Sequence, residues 1–381
     1  MKTATPATAR AINDRLALDL LIERGPLTAP RLRELTGLSR PTIADLVERL
    51  STAGLVESVG EAEETRRGPN ARLYRLIAER AHVVGVDLRR TGFTAAVADL
   101  TGATVGTATR RFDATETTGT TDIPKTPCAP GTPNATETAD APAHAASTND
   151  GARREPDLVV SLAEAITQAA DGRRPHVVVI GAPGMVHPNS GQSTAAPDLP
   201  GWRPDLPGEL ERVLGVRVLL ENEVNLAAVA EHRLGAAAGR ADFVLLWLDE
   251  GVGGAVVLDG RLRRGASGGA GELGWLEVGG VEFCDTIAPE VRAVIAPEEL
   301  AERIAKGAFA AVSVLDPGLV VLGGSAGRAA GEPLAALVAA RLATKSPIQT
   351  EVRASTVEGD AVLHGAVLTG LDLTRDEVFG G

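Results

Sequence analysis

The 381-residue sequence contains two cysteines, Cys128 and Cys284, two methionines, one tyrosine and only 3% aromatic residues. Two cysteines exclude a disulfide framework and a cysteine-rich zinc module. With so few rings, the core has to be assembled from Val, Leu, Ile and Ala among 43 glycines, as in layered α/β proteins. A long hydrophobic run is also missing. The apolar patch within Met1 to Leu21 is interrupted by Asp14 and Asp19, which fits neither a secretory leader nor a membrane span. The expectation is a cytoplasmic protein with no membrane partner. Positive charge is in deficit too: the formal net charge is −12, which taken whole argues against nucleic-acid binding, because phosphate neutralisation needs cations. The deficit is uneven. Residues 1–80 carry 13 Lys+Arg and 11 Asp+Glu, a net of +2, and the remainder carries −14. The length exceeds one ordinary domain, so a slightly basic small module is joined to an acidic large one.

Residues 1–80 hold three helical patterns and a short alternating stretch. Ile12, Leu16, Leu20 and Leu21 recur at helical spacing until Gly25-Pro26. Thr28 caps a second helix with Pro30 in its first turn, ended by Gly37; Ser39 caps a third, with Pro41 early and Ile43, Leu46, Val47 and Leu50 as its buried stripe. Two helices joined by a tight glycine turn make a helix-turn-helix. Leu55–Val59 and Arg72–Leu76 then read as the strands of a wing. From Val83 the period changes. Three strands, over residues 83–87, 94–98 and 105–109, open a second domain spanning 81–381. Residues 113–157 interrupt it with 10 Thr, 9 Ala and 6 Pro and almost no large aliphatics, the composition of a disordered insertion. Strand and helix patterns alternate thereafter, with helices expected over Leu158–Ala170, Pro297–Leu315, Pro333–Thr344 and Asp360–Thr369 and with Gly251–Gly254 at a strand end, and two similar halves, starting at Val83 and Phe243, imply two lobes flanking a cleft.

Ser39, Arg40, Pro41 and Thr42 form the N-terminal turn of the third helix, the end that faces base edges in helix-turn-helix readers, where Arg matches guanine acceptors and Ser or Thr reach phosphate or base. Arg66, Arg67 and Arg72 lie on or beside the wing tip, where cations reach a minor groove or phosphates. For these residues the competing reading is ordinary capping and solvation. In the larger domain, glycine-bearing strand junctions at 85–91, 181–186, 251–254 and 322–324 and the helix start Glu221-Asn222-Glu223-Val224-Asn225 are individually weak signals of phosphate approach.

Together, GAPGMVHPNSGQSTAAPDLPGW (Gly181–Trp202), ENEVNLAAVAE (Glu221–Glu231) and RRGASGGAGELGW (Arg263–Trp275) resemble the motifs of the ROK family, which comprises repressors, open reading frames and sugar kinases. The resemblance implies a fold in which an N-terminal winged helix-turn-helix (α+β) precedes a two-lobed α/β actin-like ATPase domain. It implies sugar contacts at Asp198, Asn222, Glu223 and Glu272. Departures from the family pattern bear on activity. Arg89 and Arg90 replace the glycines of the first phosphate loop, and Asp249 and Glu250 place two carboxylates in the second. Like charges within ~4 Å repel by roughly 1–4 kcal/mol at surface dielectrics, so ATP binding is disfavoured. Glu223 takes the place of the family's aspartate general base, Trp275 that of its sugar-contacting histidine, and Val278–Pro289 holds only Cys284 where a zinc loop is expected. No cofactor is expected.

Two functions follow. The first is a DNA-binding transcriptional regulator, a repressor of carbohydrate-utilisation genes, with a catalytically inactive ROK domain that senses a sugar or sugar derivative; its partners are a double-stranded operator and further copies of the chain, as homodimer or homotetramer. The second is an active ATP-dependent sugar kinase carrying an added DNA-binding domain, with Glu223 as base.

Overall fold

The computed structural model describes residues 6–61, 71–112, 157–193 and 199–380. Arg66, Arg67, Asp198 and the 113–157 insertion, apart from Asp157, lie outside the described residues. Asp157 itself caps a helix, its carboxylate accepting the Val159 N–H at 2.9 Å.

The first module contains α1 (Pro6–Arg24), β1 (Leu27–Thr28), α2 (Ala29–Thr36), α3 (Arg40–Thr52), β2 (Val56–Glu61) and β3 (Arg72–Leu76). The strands form one antiparallel sheet ordered β1-β3-β2. The caps are those expected: Thr28 Oγ1 accepts from Arg31 N, and Ser39 Oγ from Thr42 N, each at 3.3 Å. Gly37 ends α2 at φ 71°, a left-handed conformation that costs a side-chain-bearing residue energy. Ile43, Leu46, Val47 and Leu50 are buried as read. The α1 stripe is corrected. Ala17, Leu18 and Leu21 are its buried residues, whereas Ile12 and Leu16 are 60% and 41% exposed; the helix presents a face rotated from the one its largest aliphatics suggested.

The larger module is built on two five-stranded sheets. The first is ordered β6-β5-β4-β7-β8, from β4 (His82–Arg89), β5 (Gly92–Asp99), β6 (Thr104–Arg111), β7 (Pro175–Ala182) and β8 (Arg217–Asn222). The second is ordered β11-β10-β9-β12-β13, from β9 (Phe243–Leu248), β10 (Val252–Leu258), β11 (Arg261–Arg263), β12 (Leu319–Gly323) and β13 (Glu351–Ala354). Each has three antiparallel strands followed by two parallel additions, so the halves starting near Val83 and at Phe243 repeat one topology. Helices α4 (Leu158–Ala170) and α5 (Leu206–Leu214) cover the outer face of the first sheet. Helices α9 (Pro297–Leu315) and α10 (Gly324–Lys345) cover that of the second. Between the sheets lie α6 (Glu223–Leu234) and α11 (Ala361–Val378), whose Leu226, Ala227, Ala366 and Val367 share one core with Val83, Val179, Leu245 and Val321. This contiguous aliphatic burial is the main favourable term for a chain so poor in rings.

Three local expectations shift. Gly251–Gly254 does not end a strand: Gly251 precedes β10 and Val252, Gly253 and Gly254 begin it. Helix α10 begins at Gly324, nine residues before Pro333, and bends at Gly331, where φ is 61°. Helix α11 continues to Val378 instead of stopping at Thr369.

Candidate functional site

Two places carry chemistry: the exposed start of α3 and the cleft between the lobes. At the first, Ser39, Arg40 and Pro41 are exposed and Thr42 is partly buried. The Ser39 hydroxyl meets the Thr42 hydroxyl at 2.8 Å, fixing the turn that presents Arg40. Neighbouring cations are spoken for: Arg31 pairs with Glu34, Arg49 with Asp14 and Asp45, and Arg75 with Glu57. Arg40 pairs with no carboxylate among the described residues. Neither does Arg72, exposed at the start of β3 opposite Glu61, nor Arg33, exposed on α2, a cation that no local motif in the sequence marks.

The cleft is lined by Arg89, Arg90, Pro183, Glu223, Trp247, Asp249, Glu250, Gly251 and Val362. Its two arginines do not project freely. Arg89 folds back on the buried Asp87 and reaches Asp360 at 3.3 Å. Arg90 faces Glu250 at 3.7 Å across the cleft, joining the turn after β4 to the turn after β9. Asp249 accepts the Ser325 hydroxyl at 2.8 Å and the Ser325 N–H at 3.2 Å at the start of α10, while Arg292, in the four-residue helix α8 (Pro289–Arg292), donates to the Asp249 carbonyl at 2.5 Å. Asp249 and Glu250, the carboxylates expected to repel a polyphosphate, each have a partner within the protein. Arg90–Glu250 joins the two loops, while Arg89 and Asp249 pair with Asp87, Asp360 and Ser325.

Asn222 has most of its hydrogen bonding taken up: it caps α6, accepting from Val224 N at 2.8 Å and Asn225 N at 3.1 Å, and donates to Gly184 O at 3.0 Å. Glu221 is buried, held by Asn225 at 2.9 Å and Arg264 at 2.6 Å. Glu223 is partly buried at the first turn of α6. Burial pushes its carboxyl up to about 7, although Arg90 and Arg89 pull the other way. Burial raises Glu272 as well, and raises Asp87, with Asp360 adding repulsion. Glu272 is not among the cleft-lining groups; it sits where Gly268 and Gly269 pass closely over Met185 and Val186, so the two loops in which sugar contacts were expected touch. Asp360, Ser325 and Arg292 were not recognised from the sequence. Their partners lie far away in the chain, and no local motif marks them.

In the stretch that corresponds to the family's zinc loop, α7 (Phe283–Thr286) buries Phe283 fully, with Ile287, Leu276 and Val278 packed into the same core. Phe283 lies against Gly307, where a Cβ would come within 2.2 Å of the ring. Among the described residues no group of three His, Cys, Asp or Glu is arranged to hold a metal, and no helix is long and apolar enough to cross a membrane.

Residues 147–286 match the ROK family model. That segment belongs to a ROK family domain. This ROK domain is 36% identical to a Thermotoga maritima glucokinase over 123 residues, 32% of the chain and 39% of that protein. A longer match, 23% identical over 283 residues, is to the Bacillus subtilis xylose repressor, covering 73% of the chain and 63% of the repressor. The chain thus spans less than two thirds of either relative's length. Among solved structures, a ROK family transcriptional regulator described as a homolog of the E. coli MLC protein aligns with 98% of the chain and 100% of its own, at a TM-score of 0.67 and 17% identity. A Thermus thermophilus ROK hexokinase aligns with 77% of the chain and 99% of its own, at 0.57 and 26%. The ROK fold of the two-sheet module is common to regulator and kinase.

Proposed function

We propose that the protein is a transcriptional regulator, a repressor in which a winged helix-turn-helix reads an operator and a catalytically inactive ROK domain senses a sugar or sugar derivative. The observation that carries this reading is the exposed, hydroxyl-capped start of α3 presenting an Arg40 with no carboxylate partner among the described residues. A cation held there matches base-edge and phosphate recognition. The repressor and regulator relatives support it at the scale of the chain. Catalytic inactivity is supported by the cleft, where Asp249 takes both donors of Ser325 and Arg90 faces Glu250; a nucleotide's phosphates would have to break these pairs. Effector binding between the lobes alters operator affinity through its differential affinity for the two arrangements of the molecule. A cytoplasmic homodimer or homotetramer on an inverted-repeat site completes the reading.

One observation favours the alternative of an active sugar kinase. A carboxyl at about 7 is well tuned for general-base work at neutral pH. A coupled ATPase assay across a panel of sugars separates the two readings. The regulator reading predicts no sugar-dependent turnover; turnover abolished by Glu223→Gln would overturn it.

A further inference from the structure

Helices α6 and α11 start together at the cleft. Glu223 is the first residue of α6. Asp360 caps α11, accepting the Leu363 N–H at 3.0 Å through one oxygen and Arg89 at 3.3 Å through the other, and Val362 lines the cleft beside Glu223. The two helices are then locked without intervening side chains. At Gly365 of α11 a Cβ would lie 1.9 Å from the Leu226 carbonyl oxygen of α6, and at Gly85 of β4 it would lie 2.8 Å from Val367 of α11. The first contact leaves no room for one helix to slide independently of the other, and the second seats α11 on β4.

The far end of α11, 18 residues and about 27 Å away, is built into the DNA-reading module. Val378 and Phe379 pack with Leu18, Leu46 and Leu50 in that module's core. Asp376 pairs with Arg15 at 2.6 Å, and the Arg15 guanidinium lies over the Phe379 ring at 5.4 Å. Arg375 donates twice to Leu100 O, at 3.1 and 2.8 Å, and Leu100 N in turn donates to Ala78 O at 3.1 Å, in the segment that joins the module to β4.

We infer that α11, clamped to α6, is a strut that carries the arrangement of the cleft to the DNA-reading module, with Asp360 and Arg89 as its input contact and Arg15, Asp376 and Phe379 as its output contact. The inference rests on the proposed reading of cleft and head as sensor and reader. A displacement that breaks or remakes the Asp360–Arg89 contact shifts α11 as a body, and its last turn takes α1 with it. Coupling of this kind requires one element biased at both ends.

The test is hydrogen exchange of the α1 and α3 amides in the full chain, without DNA or added ligand, so that its outcome is independent of whether an operator is ever found. Asp360→Asn keeps the cap acceptor and weakens the Arg89 contact. It is expected to change exchange in α1 and α3 by about fivefold or more. Combined with Arg15→Ala, which removes the Asp376 pair and the cation over the Phe379 ring but leaves Val378 and Phe379 packed in the core, the same substitution is expected to change exchange in α1 by less than about twofold, because the polar part of the output contact is lost. Unchanged exchange in Asp360→Asn, or an equal change with and without Arg15→Ala, would overturn the strut. Failure to select DNA with these exchange effects intact would instead remove the reader and leave the strut standing.

Discussion

Glu223 links the chemistry of the cleft to a measurable stability. The folded protein holds this proton up to about pH 7, against an ordinary value of 4.5 for the free side chain. The stability associated with the protonated form is therefore fully present below about pH 4.5 and is lost as the pH rises through 7. Glu223→Gln removes that dependence. The variant should be more stable than the parent by about 2 kcal/mol at pH 8, discounted for partial exposure, and close to it at pH 4.5. Thermal melts across this range check it, and parallel pH profiles would contradict the burial argument. Arg40 is the corresponding residue in the head. Arg40→Ala should weaken specific operator binding by about 1–3 kcal/mol, read by fluorescence anisotropy on a selected site; unchanged affinity would remove it from the interface. What the sequence conveyed of single residues was their type and neighbourhood. It marked Arg89, Arg90, Asp249 and Glu250 as misplaced charges, but not that Asp87, Asp360 and Ser325 complete their pairs. Arg89 and Asp360 are 271 positions apart, and nothing in either local pattern announces the other.

At the scale of elements, short-range chemistry was legible and long-range packing was not. Thr28 and Ser39 cap α2 and α3 because a hydroxyl satisfies N–H groups only two or three residues away. Leu158–Ala170 and Pro297–Leu315 form helices at the bounds read from their periodicity. The start of α10 was missed because two consecutive glycines, Gly323 and Gly324, read as a turn, while β12 delivers them directly into the helix. The face of α1 was misjudged because its burial is decided by α3, β3 and the end of α11, not by its own hydrophobic content. Asn222 shows how a candidate contact and a structural role coincide. Asn222→Ala should cost about 1–2 kcal/mol, from the lost cap of α6 and the stranded Gly184 carbonyl, whereas Asn222→Asp keeps the cap. Calorimetry of both variants checks this; equal losses would show that the cap contributes nothing. Phe283 is the anchor of the stretch where zinc was looked for. Phe283→Ala should cost about 3–5 kcal/mol, and a chelator should leave the melting temperature of the parent unchanged. A chelator-induced drop would point instead to a bound metal.

For the whole molecule, the charge division is the feature that organises function. A −14 body and a +2 head leave little bulk attraction to DNA, so under the proposed function recognition would fall to a few placed arginines and to the pairing of heads in an oligomer. The repeated lobe topology was readable from two matched series of strands, and the arrangement of α6 and α11 between the sheets was not, since it depends on glycine contacts such as Gly365 against Leu226. Under the proposed function the chain reads DNA. Selection of the purified full chain on a random double-stranded DNA pool tests it most directly. The expected result is enrichment of an inverted repeat whose half-sites are spaced by whole helical turns, and loss of that enrichment in Arg40→Ala. A selected pool indistinguishable from the starting one would contradict it.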